Sequence, residues 1–219
     1  LMGTQILETG KLDTQPEKKA RYFRILKEEG EHLLSLTNKV LTLSKLENHQ
    51  LKLEKDTCCV RSMLEDLAEK YKAKAVKHIV YKWNLQADTV YADEEFLKEA
   101  LSNLIDNAVK YSGDEVEITF SSGKLSNEYY IKVHDTGFGI PLKDQSKIFE
   151  KYERASAADR SRYGGSAGFG LGLNYVLRVA EVHGGRVTLE SIEGEYSEFT
   201  IYLPNREDAI DKTCLNTNK

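Results

Sequence analysis

The sequence predicts an α+β fold, a two-layer sandwich with helices on one face of a mixed sheet, entered through a long N-terminal helix. Three observations lead to it. Short strand-like runs alternate with amphipathic helices from Leu51 to Leu203. The stretch from Pro16 to about Leu46 contains no further Pro and no Gly except Gly30. The 219 residues exceed one typical domain of about 100 to 150 residues. A boundary near Asn48 then divides the chain into a helical segment over 1–48, a compact domain over 49–205 and a polar tail over 206–219.

The N-terminal helix starts at Asp13-Thr14-Gln15-Pro16-Glu17, where capping residues precede a proline at the first helical position. Leu33, Leu36, Val40 and Leu43 step by three and four, and Tyr22, Ile25, Leu26 and Glu29 extend the stripe upstream. That is the seam of a coiled coil or bundle, which one hairpin cannot bury alone.

In the second part, a strand-like run covers Leu51 to Val60 and a helix Met63 to Ala75, with strands at His78 to Asn84 and around Val90. A second amphipathic helix follows from Glu94 to Tyr111, its apolar stripe made by Phe96, Leu97, Leu101, Leu104, Ile105 and Ala108. Strands at Val116 to Ser121 and Tyr129 to Asp135 come next. A helix over Tyr175 to Val182 and a closing strand pair at Arg186 to Ser191 and Ser197 to Leu203 complete the domain.

Four separated segments carry chemistry. Opposite the apolar stripe of the Glu94 helix, Glu99, Asn103 and Asn107 fall at i, i+4 and i+8, and Lys110 extends the row. Mg²⁺ takes hard oxygen ligands and keeps several waters, so a neutral Asn carbonyl plus phosphate oxygens makes a plausible shell, with Asn107 the first choice of ligand. At Asp135-Thr136-Gly137-Phe138-Gly139-Ile140 a strand ends in a glycine turn. A carboxylate there can accept a hydrogen bond from an exocyclic amine, and Gly137 and Gly139 let backbone approach a flat base. Ile148-Phe149-Glu150-Lys151-Tyr152-Glu153-Arg154 is the third segment. The fourth, Gly168-Phe169-Gly170-Leu171-Gly172-Leu173, feeds a helix N-terminus, whose free N–H groups and dipole suit phosphate. The small, polar residues between Arg154 and Gly168 have the composition of a mobile lid, with Arg160 and Arg162 in it.

In this order the segments resemble the sensor histidine kinases of bacterial two-component systems, and more broadly the superfamily that also holds gyrase, mismatch-repair and heat-shock chaperone ATPases. The asparagine box, first glycine box, phenylalanine box and second glycine box are all present. The resemblance implies a Bergerat-type ATP-binding sandwich preceded by an antiparallel helical hairpin that dimerises as a four-helix bundle. It implies ATP and Mg²⁺, with Asn107 on the metal, Asp135 on the adenine amine, Tyr111 near the base, and Lys110 and Arg154 toward the phosphates. Glu99 is similar to the family's candidate base. Asn103, Gly137, Gly139, Ile140, Gly168, Gly170, Leu171, Gly172 and Leu173 complete the implied nucleotide site, while Phe149 and Tyr152 are expected to anchor the lid in the core. The implied reaction passes the γ-phosphate to a histidine and on to an aspartate of a response regulator receiver domain, the second partner beside the homodimer.

The phosphoacceptor histidine is the expected part that is missing. In the resembling family a proline follows it five positions on, and none of His32, His49, His78, His134 or His183 meets that spacing. The first helix of the hairpin is then represented only by Leu1 to Lys11, and the chain as given is not expected to phosphorylate itself. Two rival readings are a scaffold that binds a response regulator without nucleotide and an ATPase of the chaperone or mismatch-repair type.

A net charge of −4 argues against a surface built for nucleic acid. Cys58 and Cys59 are adjacent and Cys214 lies in the tail, which fits neither a metal spacing nor a disulfide framework, and a reducing cytoplasm suits them. No run approaches the ~18 apolar residues of a membrane span. By resemblance alone, the parent protein is expected to be anchored in the bacterial inner membrane through segments outside this chain.

Overall fold

The computed structural model describes residues 16–48, 50–75, 77–151 and 169–205. The chain divides into two compact units, Leu1–Ser44 and Lys45–Lys219.

The first unit is dominated by helix α1 (Pro16–Glu47), which opens on the proline that the sequence marks. Phe23, Ile25, Leu33, Leu34, Val40 and Leu41 are all exposed along it. An apolar band of that length is what a bundle seam presents before its partners are added.

The second unit holds the other elements in the order β1 (Asp56–Cys59), α2 (Val60–Lys74), β2 (His78–Leu85), β3 (Thr89–Ala92), α3 (Glu94–Lys110), β4 (Glu115–Lys124), β5 (Glu128–Asp135), α4 (Leu142–Gln145), α5 (Gly172–Val182), β6 (Arg186–Ile192) and β7 (Tyr196–Pro204). Five strands form a mixed sheet in the order β2-β4-β5-β7-β6, parallel between β2 and β4 and antiparallel elsewhere. Strands β1 and β3 make a separate antiparallel pair. Alternation along the strands puts Val116, Ile118 and Phe120 of β4, Ile131 and Val133 of β5, and Phe199, Ile201 and Leu203 of β7 in the core. Helices α2, α3 and α5 supply the facing residues, among them Leu64, Leu97, Leu101, Leu104, Ile105, Val176 and Val179. Each such side chain contributes roughly 1.5–3 kcal/mol on burial. This is the expected sandwich of helices over a mixed sheet.

The run Leu51 to Val60 departs from expectation. Only Asp56–Cys59 is a strand, and Val60 already opens α2. Leu51, Leu53 and Lys55 do alternate with more exposed neighbours, but residues 51–55 pair with no strand among the described residues. The Glu54 N–H is taken by the Asp93 carboxylate at 2.8 Å, and Lys55 Nζ reaches the His183 carbonyl at 3.4 Å. Period-two patterning reports alternate exposure and does not by itself supply a ladder.

His183 ends α5, as its glycines suggest. Gly184 has φ +82°, its N–H bonds to Glu181 O, and the Gly185 N–H bonds to Ala180 O, a Schellman closure. The buried ring does more than fill space: Nε2 accepts the Asp93 N–H at 2.9 Å, while Nδ1 donates to Val179 O at 2.7 Å. This use of both nitrogens fits the neutral ring, and burial lowers its pKa below the ordinary 6.5. The ends of α3 and α5 are joined there. Among the described residues no helix is long and apolar enough to cross a membrane.

Candidate functional site

Helix α3 begins at Asp93, whose carboxylate accepts the Phe96 N–H, and continues with Glu94 and Glu95 in its first turn. The row expected opposite the apolar stripe is not uniformly solvated, because the start of α5 covers its middle. Glu99 is exposed, Asn103 is buried and Asn107 is half-buried. Asn103 Nδ2 donates to the Glu99 carbonyl at 2.9 Å, so this amide is fixed against its own helix. The Asn107 side chain makes no hydrogen bond with the described residues. Lys110 is held by Asp106 at 2.6 Å, one turn back on the same helix. In this structure its ammonium is therefore paired with a carboxylate.

Asp135 ends β5 with 5 % of its surface exposed. Its Oδ1 accepts the Gly137 N–H at 2.9 Å, which leaves Oδ2 as the second acceptor. Burial pushes the carboxyl up to about 6, and the Gly137 N–H only partly offsets it. The turn abuts the end of α3: Tyr111 O accepts the Phe138 N–H at 2.8 Å, and a Cβ on Gly137 would stand 2.5 Å from that same oxygen. Gly139 has φ +61°, and a Cβ there would come within 2.0 Å of Ile192 O. The Ile140 N–H bonds to Ser191 Oγ, and Gln145 of α4 grips both Ile140 O and Ser191 O. The first glycine turn is thus built against α3 on one side and the β6–β7 hairpin on the other.

The second glycine turn lies against the same helix. Gly170 has φ +68°, Leu171 is buried, and α5 opens at Gly172 with no side chain capping its N–H groups. A Cβ on Gly172 would lie 3.3 Å from Asn103 Oδ1, so the turn rests on the polar row of α3. Leu173 follows, half-buried. Two contacts were not foreseen from sequence. Asn174 Nδ2 donates to Phe149 O at 2.8 Å, and the Tyr175 hydroxyl donates to Glu99 Oε2 at 2.8 Å. Phe149 is half-buried rather than in the core, and it meets Phe199 edge-on with centroids 6.4 Å apart. Beside it, Glu47 pairs with Lys151 at 2.5 Å and with Arg178 at 3.5 Å. Tyr152, Arg154, Arg160, Arg162 and Gly168 lie outside the described residues.

The structure therefore brings Glu99, Asn103, Asn107, Tyr111, Asp135, Gly137 and Gly172 around one helix. A buried carboxylate acceptor stands at one end, uncapped helix N–H groups at the other, and an oxygen-bearing amide between them. This arrangement has the donors and acceptors for an amino-purine, a polyphosphate and a hard cation. Among the described residues no group of three or more His, Cys, Asp or Glu side chains could hold a metal alone. A single amide ligand fits Mg²⁺, which leaves most of its shell to water and phosphate oxygens.

Residues 92–207 match the sequence profile of the histidine kinase-, DNA gyrase B-, and HSP90-like ATPases. Among curated relatives, the circadian input-output histidine kinase CikA of Synechococcus elongatus is 30% identical over 195 residues, covering 87% of this chain and 26% of the relative. The sensor histidine kinase WalK of Bacillus subtilis is 30% identical, covering 87% and 31%, and RppB of Synechocystis 38% identical, covering 80% and 39%. The chain thus spans between a quarter and two fifths of the length of these relatives. Among solved structures, the Acinetobacter baumannii histidine kinase AdeS superposes with a TM-score of 0.69 at 26% identity over 84% of each chain. Full-length ShkA in complex with AMPPNP superposes with 0.74 at 29% identity, covering 85% of this chain and 39% of that one.

Proposed function

The chain belongs to the histidine kinase-, DNA gyrase B-, and HSP90-like ATPase family, and on that premise we propose that it is the ATP-Mg binding catalytic part of a sensor histidine kinase. It transfers the γ-phosphate of ATP to a histidine of a dimerisation bundle, for relay to an aspartate of a response regulator. The observation that carries this reading is the convergence of both glycine turns on α3. Gly137 packs on Tyr111 O and Gly172 packs on Asn103, so the turns beside the base acceptor and the phosphate N–H groups are both braced on the helix that carries Asn107.

Each side chain then has a role. Asp135 Oδ2 accepts from the adenine amine while Oδ1 keeps the turn closed. Guanine, with a carbonyl at that place, meets a carboxylate lone pair instead. Tyr111 flanks the base, and the α5 N-terminus with Gly170 and Gly172 faces the phosphates. Asn107 holds Mg²⁺, which neutralises phosphate charge when bound. Lys110 serves the phosphates by exchanging Asp106 for them, a short swing of a flexible stem. Arg154 and Gly168 are assigned to the phosphates by the family resemblance alone.

In the transfer, a neutral imidazole nitrogen forms the N–P bond. The bond from the γ-phosphorus to the bridging oxygen breaks with its electron pair going to ADP, and the imidazole's proton passes to Glu99. Little covalent work falls to the protein, so positioning and charge neutralisation carry the rate. The exposed apolar face of α1 supports a homodimer through a four-helix bundle, with 1–48 as the bundle part. The chain's resemblance to sensor histidine kinases is what supports reading it as a cytoplasmic catalytic domain of a membrane-anchored parent.

The test is transfer to a supplied acceptor. With γ-labelled ATP and several separate helical hairpins bearing a His-Glu pair, acid-labile, base-stable label should appear on histidine and vanish in Asn107→Ala. ADP release without phosphohistidine on any acceptor would overturn transfer to histidine in favour of a plain ATPase.

A further inference from the structure

Along the sequence, Tyr175 is one more large residue on the buried stripe of α5. In the fold its ring is fully buried, with 0 % exposed, and a buried phenol usually finds a partner for its hydroxyl. The partner is Glu99 Oε2 on α3, at 2.8 Å. Glu99 itself is exposed, and a glutamate on a helix surface ordinarily samples many rotamers. A donor built into the core wall removes that freedom, occupies one carboxylate oxygen and leaves Oε1 for other chemistry. The backbone of the same residue is held as well, since Asn103 Nδ2 donates to the Glu99 carbonyl.

The donor is also permanent. Burial first, and the negative charge of Glu99 second, push the Tyr175 phenol far above its ordinary range, so it keeps its proton at any working pH. Tyr175 stands one turn after Gly172, the glycine that rests on Asn103. The helix that presents N–H groups to phosphate therefore also aims the carboxylate.

We infer that Tyr175 is a positioning residue for the phosphoryl transfer, holding Glu99 so that Oε1 takes the proton released by the attacking nucleophile. This rests on the reading of Glu99 as the base. With water as nucleophile the same balance holds: the water oxygen bonds to the γ-phosphorus, ADP leaves with the electron pair, and the water proton goes to Glu99.

The experiment is the rate of label transfer, as kcat, from γ-labelled ATP to a supplied helical hairpin bearing a His-Glu pair, with nucleotide Kd, for the native chain, Tyr175→Phe, Glu99→Gln and the double variant, and thermal melts to show that each is folded. Tyr175→Phe should lower kcat roughly tenfold or more, the worth of one hydrogen bond to a charged group, while Kd stays within about twofold. In the Glu99→Gln background the same change should cost nothing further. Equal losses in both backgrounds, a parallel loss of Kd, or unchanged kcat in Tyr175→Phe would each overturn the inference. If Glu99→Gln falls below detection, the split of kcat from Kd in Tyr175→Phe decides alone. Transfer to no supplied acceptor by the native chain, or a Glu99→Gln variant that transfers at the native rate, would instead remove Glu99 from the chemistry and defeat both readings. A damaging Glu99→Gln beside a harmless Tyr175→Phe defeats this one only.

Discussion

Asp135→Asn should stabilise the fold and weaken nucleotide binding at once. The native carboxyl is buried and sits at about 6, against an ordinary 3.8. Such a gap corresponds to roughly 3 kcal/mol, because each unit is worth about 1.4 kcal/mol. The sign follows from the direction. A carboxyl raised on folding adds stability that is fully present below 3.8 and lost as pH rises through about 6. At pH 7 the native chain therefore carries an ionised group that burial penalises. The amide removes that penalty and can still accept the Gly137 N–H, so thermal unfolding at pH 7 should rise by about 6–12 °C. At pH 4 the gap should close, because the native carboxyl is then protonated. Binding moves the other way: the amide's NH₂ now faces the adenine amine, donor against donor, and affinity for ATP should fall roughly ten- to hundredfold. In the native chain, affinity should itself drop about tenfold between pH 8 and pH 5 as the carboxylate titrates. Calorimetry and thermal melts at three pH values measure all of this. An Asn variant that melts lower at pH 7, or that keeps its advantage at pH 4, would refute the burial argument; one that binds ATP as tightly would refute the base contact.

Other expectations are as specific. His183 is held neutral, so the stability it carries is present above its ordinary 6.5 and is lost as pH falls below it, by up to about 1.4 kcal/mol per pH unit; His183→Gln should flatten that acid limb in urea melts compared with the native chain. Gly139→Ala must place a Cβ within 2.0 Å of Ile192 O at φ +61°, so it should cost at least about 2 kcal/mol by denaturant midpoint.

The polar row of α3 was legible because a helical period needs only spacing. The glycine turns were legible because positive φ at Gly139 and Gly170 and close approach at Gly137 and Gly172 leave few other residue types possible. The pairing of Lys110 with Asp106 was also within reach, four residues apart on one helix. What stayed hidden depends on how elements cross. Tyr175 reads as core until α5 is laid on α3, and only then does its hydroxyl find Glu99. Asn174 likewise finds Phe149 O only when the Ile148 segment meets the start of α5. His183 reads as a helix stop, and its ring's hold on the Asp93 N–H spans ninety positions that no local pattern connects. At Leu51 to Lys55 the alternation was real, but the edge that would have made it a strand is absent among the described residues.

The central claim is that α3 and the two glycine turns form one ATP-Mg site with Asn107 as its metal ligand. A calorimetric titration of the native chain and Asn107→Ala with a non-hydrolysable ATP analogue, with and without Mg²⁺, tests it most directly. Binding that needs Mg²⁺ and is weakened in Asn107→Ala is the predicted result. A folded native chain that binds no nucleotide, or an Asn107→Ala variant with the same Mg²⁺-dependent affinity, would contradict it.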